Sequence, residues 1–129
     1  MPKSPICDDF GVTRTVLIVD DHPSFRATAR ALLESEGFRV VGEAKDGREA
    51  LEQAERLHPE VVLLDVQLPD TTGFEVARAL ARSNGGGPAI VLVSSRDGSD
   101  YGDQIPASGA RGFVPKGELS GAAVRALLT

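Results

Sequence analysis

Three short apolar runs in this chain each end in side chains that carry oxygen. Val16-Leu17-Ile18-Val19 runs into Asp20 and Asp21, Val61-Val62-Leu63-Leu64 into Asp65, and Ile90-Val91-Leu92-Val93 into Ser94 and Ser95. Runs of this kind, without polar alternation, read as strands covered on both faces of a parallel sheet. A parallel sheet collects the C-terminal ends of its strands along one edge, so the three acids and the hydroxyl should meet in one crevice, where open α/β sheets bind their ligands. Carboxylates that close repel one another, and each raises the others' pKa unless a cation sits among them. Hard oxygen donors suit Mg²⁺, with Mn²⁺ as a substitute, and not zinc. Mg²⁺ keeps waters and binds one or two carboxylates plus a phosphate. One carboxylate is then free as a nucleophile, and an aspartate that attacks phosphorus forms an aspartyl phosphate. The added negative charge needs a cation and a donor opposite the metal, which Lys116 and the Ser94 hydroxyl supply. The set reads as a phosphoryl-acceptor site.

The elements that must position these residues alternate along the chain. The spacing predicts a strand from Thr15 to Asp20, then a helix with Phe25, Ala29, Leu32 and Leu33 on one face, stopped by Gly37. A second strand is expected from Phe38 to Ala44, and after Gly47 a helix with Ala50, Leu51, Ala54 and Leu57 inward. The third strand runs from Glu60 to Asp65. Thr72 caps a third helix through Ala81, with Phe74, Ala77, Leu80 and Ala81 inward. Ser83-Asn84-Gly85-Gly86-Gly87-Pro88 ends that helix as a flexible connector. Its glycines are not a phosphate loop, because they follow a helix and lack the lysine and hydroxyl that such a loop uses. Ala89 to Ser94 is the fourth strand, Arg111 to Pro115 a short fifth, and Leu119 to Leu128 a last helix carrying Ala122, Ala123, Ala126 and Leu127 inward. Five strand–helix units with short connections give a doubly wound α/β domain. The fourth helix is the irregular one: Gly98, Gly102, Pro106 and Gly109 all oppose a regular helix, which leaves a short or distorted turn near Asp100 to Ala107, or a loop.

Composition narrows the function classes. At 129 residues with 41% hydrophobic residues, the chain is long enough for one domain with its own core. A formal charge of -5 argues against nonspecific nucleic-acid binding, which needs a basic face. The single cysteine, Cys7, has no internal partner and reads as a bystander thiol in a reducing cytoplasm. No run approaches the ~20 apolar residues that span a bilayer. Residues 1–14 contain Pro2, Pro5, Asp8 and Asp9 and lack the apolar core of a secretion signal. They form a flexible tail ahead of a domain over 15–129.

Jointly, four segments are specific. Val16-Leu17-Ile18-Val19-Asp20-Asp21-His22-Pro23, Asp65-Val66-Gln67-Leu68-Pro69-Asp70-Thr71-Thr72-Gly73-Phe74, Val93-Ser94-Ser95 and Gly112-Phe113-Val114-Pro115-Lys116 stand in one order and spacing. In these the chain resembles the receiver domain of two-component response regulators, from Thr15 to its end. The details are most similar to the branch usually fused to a helix-turn-helix DNA-binding module. The resemblance implies a flavodoxin-like, doubly wound five-stranded parallel sheet of order 2-1-3-4-5. It implies Asp65 as phosphoacceptor, a sensor histidine kinase (or small phosphodonor) as source, and Mg²⁺ held by Asp20, Asp21, Asp65 and the backbone carbonyl of Gln67. Ser94 would be the switch hydroxyl, Lys116 the ion partner of the phosphoryl group and Phe113 the switch aromatic. Function would then be a change in affinity for a downstream protein, in a monomer or a phosphorylation-dependent homodimer, with turnover limited to self-phosphorylation and self-dephosphorylation. The chain stops one helix after Lys116, without a DNA-binding module, which leaves a stand-alone receiver, the favoured expectation, or a receiver cut from a longer protein, in the cytoplasm and with no nucleic-acid or membrane contact of its own.

Plainer roles exist for each residue. Asp20 or Asp21 can cap a helix beside Pro23, Ser94 can bond to local backbone, Lys116 can be a solvated lysine and Phe113 a half-buried core aromatic. Asp46 and Asp70 read as a cap and a turn residue, and His22 and His58 as structural or solvent-exposed. Two rival functions also exist. A Mg²⁺-dependent phosphatase with an aspartyl nucleophile would want a second acid where Gln67 stands, and a cap insertion for which no connection is long enough. A receiver-like module that binds partners constitutively typically loses acids or the lysine, and this chain retains them.

Overall fold

In chain order the elements are β1 (Thr15–Val19), α1 (Pro23–Ser35), β2 (Arg39–Ala44), α2 (Gly47–Leu57), β3 (Val61–Asp65), α3 (Gly73–Ala81), β4 (Ala89–Ser94), α4 (Gln104–Ala107), β5 (Gly112–Pro115) and α5 (Gly121–Leu128). The computed structural model describes residues 13–82, 87–96 and 98–128. The tail expected to be flexible and the connector at 83–86 fall mostly outside the described residues, Cys7 with them. All strands are parallel, in the order β2-β1-β3-β4-β5. From Val16, Val61 and Ile90 onward, β1, β3 and β4 are buried at every position. This is why their sequences are continuously apolar.

Helices cover both faces. On one side α2 and α3 bring Ala50, Ala54, Phe74, Val76, Ala77 and Leu80 against Leu17, Val19, Val62, Leu64 and Leu92. On the other, α1 and α5 bring Ala29, Leu33 and Val124 against Val16, Ile18, Leu63, Val91 and Val93. Three helix faces differ from the sequence expectation. Leu51 is 39% exposed, Ala81 is exposed, and α5 turns Val124 to the sheet while Ala122 and Ala126 face outward. In α5 a short 3₁₀ turn at Lys116–Glu118 delays the helix to Gly121, whose Cβ position would overlap the Glu36 side chain. The Ala- and Leu-rich sequence of α5 leaves its rotation open.

The fourth helical segment is broken as its glycines dictate. A 3₁₀ turn covers Gly98–Asp100, α4 is one turn long with no buried residue, and Gly102 and Gly109 take φ of 53° and 86°. Helices α2 and α3 begin with side-chain caps. The Asp46 carboxylate accepts from the Glu49 N–H at 2.8 Å, and the Thr72 hydroxyl from the Glu75 N–H at 3.2 Å. Asp46→Ala is expected to lower stability by about 1 kcal/mol, read as a shift in the urea midpoint at unchanged slope. His58, at φ 48°, closes α2 with its N–H on Ala54 O, which makes it structural.

An ion cluster ties α1 to β2. Glu43 accepts from Arg30 Nε at 2.7 Å and from Arg26 Nε at 3.0 Å. The Arg30 contact, with Arg26 in support, holds the Glu43 carboxyl below its usual range against the opposing effect of burial. A depressed carboxyl stabilises the fold above the unfolded-state pKa and loses that contribution as pH falls through the lower, folded one. Glu43→Gln should therefore cost about 1 kcal/mol at pH 7, and progressively less below about pH 4. Urea midpoints of both proteins across that range check this. A gap that does not close with acid would contradict it.

Candidate functional site

Register brings the acids together. Val19 pairs with Leu64 across β1 and β3, so Asp20 emerges level with Asp65, and Asp65 itself pairs with Val93, one residue before Ser94. Ser94 in turn pairs with Pro115, the residue before Lys116. Asp20 and Asp65 are 0% and 4% exposed, and Ser94 is buried as well. One oxygen each from Asp20, Asp21 and Asp65, with a nitrogen of His22, lie within 4.8 Å of one another.

Lys116 serves both buried acids. Its Nζ lies 2.7 Å from Asp20 Oδ2 and donates to Asp65 Oδ2 at 3.4 Å, with the side chain 17% exposed and packed over the Phe25 ring. Asp20 Oδ1 accepts from the His22 N–H at 2.8 Å and sits 3.0 Å from His22 Nδ1, which is also 3.2 Å from Asp21 Oδ1. Asp20 O accepts from Arg26 Nη1. Asp65 Oδ1 accepts from the Gln67 N–H at 3.3 Å, inside a turn that a bridge between Gln67 and Thr72 closes. Gln67 itself is exposed there.

Charge is unevenly shared. Burial pushes the Asp65 carboxyl up to about 6, the neighbouring Asp20 charge adds to this, and Lys116 only partly offsets it. Burial acts on Asp20 as well, but the Lys116 ammonium and the His22 N–H outweigh it and hold that carboxyl below its usual value. Burial likewise works against the Lys116 charge, and the two acids overcome it, so its pKa is raised. Asp20 and Lys116 thus form the ion pair, and Asp65 is the carboxylate left short of positive charge. Asp20 Oδ2 is, among the described residues, the buried side-chain oxygen or nitrogen with no hydrogen-bond partner. It lies 2.7 Å from the Lys116 ammonium, as an ion pair. A pocket that gathers three carboxylates around one ammonium and leaves Asp65 short of positive charge fits a divalent cation held by Asp20, Asp21 and Asp65.

The remaining candidates line the same edge. Ser94 Oγ accepts from the Arg96 N–H at 3.1 Å and lies 2.9 Å from the Tyr101 hydroxyl. Phe113 is half-buried, its ring 5.8 Å from that of Tyr101. Tyr101 escaped sequence reasoning. The available signal was an isolated aromatic in a polar, glycine-broken segment. His22 is exposed, as expected, and its ring nitrogen also reaches Asp20 and Asp21. Asp70, expected as a turn residue, reaches across to α2 and accepts from the Gly47 and Arg48 N–H groups at 2.9 and 3.1 Å.

A cavity of about 790 Å³ lies elsewhere. Arg14, Pro59, Ala89 and Arg111 line it at the N-terminal ends of the strands, opposite the acids. Its charged lining, Arg14, Glu55, Glu60 and Arg111, is mixed in sign, whereas the acids gather at the other edge. Among the described residues, no helix is long and apolar enough to cross a membrane.

Comparisons with known proteins agree with this geometry. The response regulator receiver domain family matches residues 16–127. The chain is 34% identical over 102 residues to the DNA-binding transcriptional activator EvgA of Escherichia coli, covering 79% of this chain and 50% of that protein. It is 39% identical over 103 residues to the transcription regulator BvgA of Bordetella pertussis, covering 80% and 49%. The chain therefore spans about half the length of the curated relatives it matches. Among solved structures, a LuxR-family two-component response regulator from an Aurantimonas species superposes with a TM-score of 0.80 at 31% identity, covering 90% of this chain and 86% of the other. With a sheet of the expected order, an acidic edge and a family match over nearly its whole described length, the chain belongs to the response regulator receiver domain family.

Proposed function

We propose that this chain is a phosphorylation-activated switch in which Asp65 accepts a phosphoryl group from a sensor histidine kinase or a small phosphodonor. One observation carries the reading: two buried carboxylates on adjacent strands share one ammonium, and Asp65 is the one left without full compensation. An Asp65 oxygen attacks phosphorus, a new O–P bond forms, and the bond to the donor's nitrogen or acyl oxygen breaks with its electron pair leaving on the donor. Lys116 stands where it can follow the charge from the Asp65 carboxylate to the transferring oxygens. Asp20, held ionised by Lys116 and the His22 N–H, and Asp21 at the mouth complete the cation site with Asp65 and the Gln67 carbonyl. Mg²⁺ bound there would neutralise the equatorial phosphoryl oxygens as charge accumulates.

Ser94 then turns its hydroxyl to a phosphoryl oxygen, and Phe113 adjusts beside it. The segment between β4 and β5 shifts population, which changes affinity for a downstream protein. The domain over 15–129 acts as one unit in this, as a monomer or as a homodimer formed on phosphorylation, in the cytoplasm.

Intact mass after incubation with acetyl phosphate is the test. A single phosphoryl adduct that requires Mg²⁺ and is absent from Asp65→Asn supports the reading. An unmodified, folded protein that also fails to bind Mg²⁺ would leave a constitutive binding module in its place.

A further inference from the structure

Ser94 has a partner that the acceptor chemistry does not require. Its hydroxyl has one proton and two acceptor positions. The Arg96 N–H takes one acceptor position, and the Tyr101 hydroxyl lies 2.9 Å away. That phenol is itself fixed. The Tyr101 ring stands edge-on to Phe74 at 5.5 Å and 67°, and tilted against Phe113 at 5.8 Å and 51°. The Gly98 backbone passes so near Phe113 that a Cβ there would meet the ring at 2.9 Å. Gripped between two rings, the phenol cannot follow Ser94 if that side chain rotates about its single χ1 towards Asp65. The two hydroxyls must separate. Tyr101 is also a fastening point for its own segment. α4 buries no residue, and among the described side chains from Gly98 to Ala107 the hydrophobic ones packed on the core are Tyr101 and Ile105.

We propose that Tyr101 is a positioning residue for Ser94: its phenol holds the resting hydroxyl away from Asp65 and ties the segment over 98–107 to the end of β4. A tetrahedral oxyanion on Asp65 draws the Ser94 hydroxyl to itself, and the freed phenol loosens that segment. The inference rests on the acceptor reading of Asp65 and the switch reading of Ser94.

The chain contains one tyrosine and no tryptophan, so its ultraviolet fluorescence reports on Tyr101 alone. The experiment titrates the full chain with beryllofluoride, a tetrahedral phosphoryl mimic, in the presence of Mg²⁺. Bound anion is followed independently by fluorine NMR. Tyrosine emission should change with the midpoint of anion binding. Ser94→Ala should show the released emission before any anion is added, and no further change. Tyr101→Phe retains the ring contacts and loses only the hydroxyl. It should bind the anion roughly two- to tenfold more tightly, the equilibrium value of one resting hydrogen bond. Unchanged emission while fluorine NMR shows the anion bound would overturn the role of Tyr101 and leave Asp65 as acceptor. Equal or weaker binding by Tyr101→Phe would do the same. If the wild-type chain binds no beryllofluoride, the acceptor reading itself fails, and the Tyr101 role falls with it.

Discussion

Asp65→Asn is expected to unfold at higher urea than the wild-type chain when both are held in EDTA at pH 7, although it removes the proposed phosphoacceptor. Asp65 is 4% exposed and faces the Asp20 carboxylate, so its charge is costly to the fold. A carboxyl whose pKa rises from 3.8 to about 6 on folding is destabilising wherever it is ionised. At about 1.4 kcal/mol per pH unit, the cost is of order 2–3 kcal/mol. The amide is close in shape and retains an acceptor for the Gln67 N–H. Mg²⁺ should narrow the gap, because a cation that binds the folded wild type stabilises it by mass action, about 2.7 kcal/mol at a hundredfold excess over Kd. An Asn variant less stable than wild type in EDTA would show that Lys116 fully compensates both acids. The same variant should take up no phosphoryl group, so stability and function are expected to move in opposite directions at this position.

Gly73→Ala is expected to damage both. Gly73 opens α3, and its N–H donates to Val66 O at 2.7 Å. A Cβ there would overlap the Asp65 carbonyl oxygen and lie 3.0 Å from Val66 Cα. Both obstacles are backbone, so relief requires moving the strand end that presents Asp65 or displacing the helix start. Overpacking of this kind costs about 1–3 kcal/mol. Phosphoryl uptake should fall at least about tenfold, because small displacements of a reacting group are expensive. Urea unfolding and the initial rate from acetyl phosphate measure the two effects. Gly117→Ala is the control: nothing lies within 4 Å of its Cβ position, and its stability should stay within about 0.5 kcal/mol of wild type. If the two variants behave alike, the close packing at Gly73 carries no weight.

β1, β3 and β4 were legible because burial on both faces leaves an unbroken apolar signature, and the observed β4 has the expected bounds. β1, β2, β3 and β5 differ from expectation by one residue at one end. Helix faces were less so. Leu51 and Ala126 were expected inward and lie outward, since hydrophobicity permits burial and does not compel it, and small side chains mark a face only weakly. Asp46 and Thr72 were readable as caps because a cap bonds within three residues of itself. Asp70 was not, because it caps a helix more than twenty residues away in the chain.

Local order in the sequence thus determined the strands, their acidic and hydroxyl ends and, through the parallel sheet, the edge where they gather. The tertiary structure decided how those groups divide charge and hydrogen bonds among themselves. Lys116, 51 residues from Asp65, sits closer to Asp20, so Asp20 keeps its charge easily and Asp65 does not. Ser94 and Tyr101 meet because a glycine-broken segment folds back over β4 and two rings hold the phenol there. Coulomb energy depends on distance and desolvation on burial, and neither quantity exists until the chain has folded.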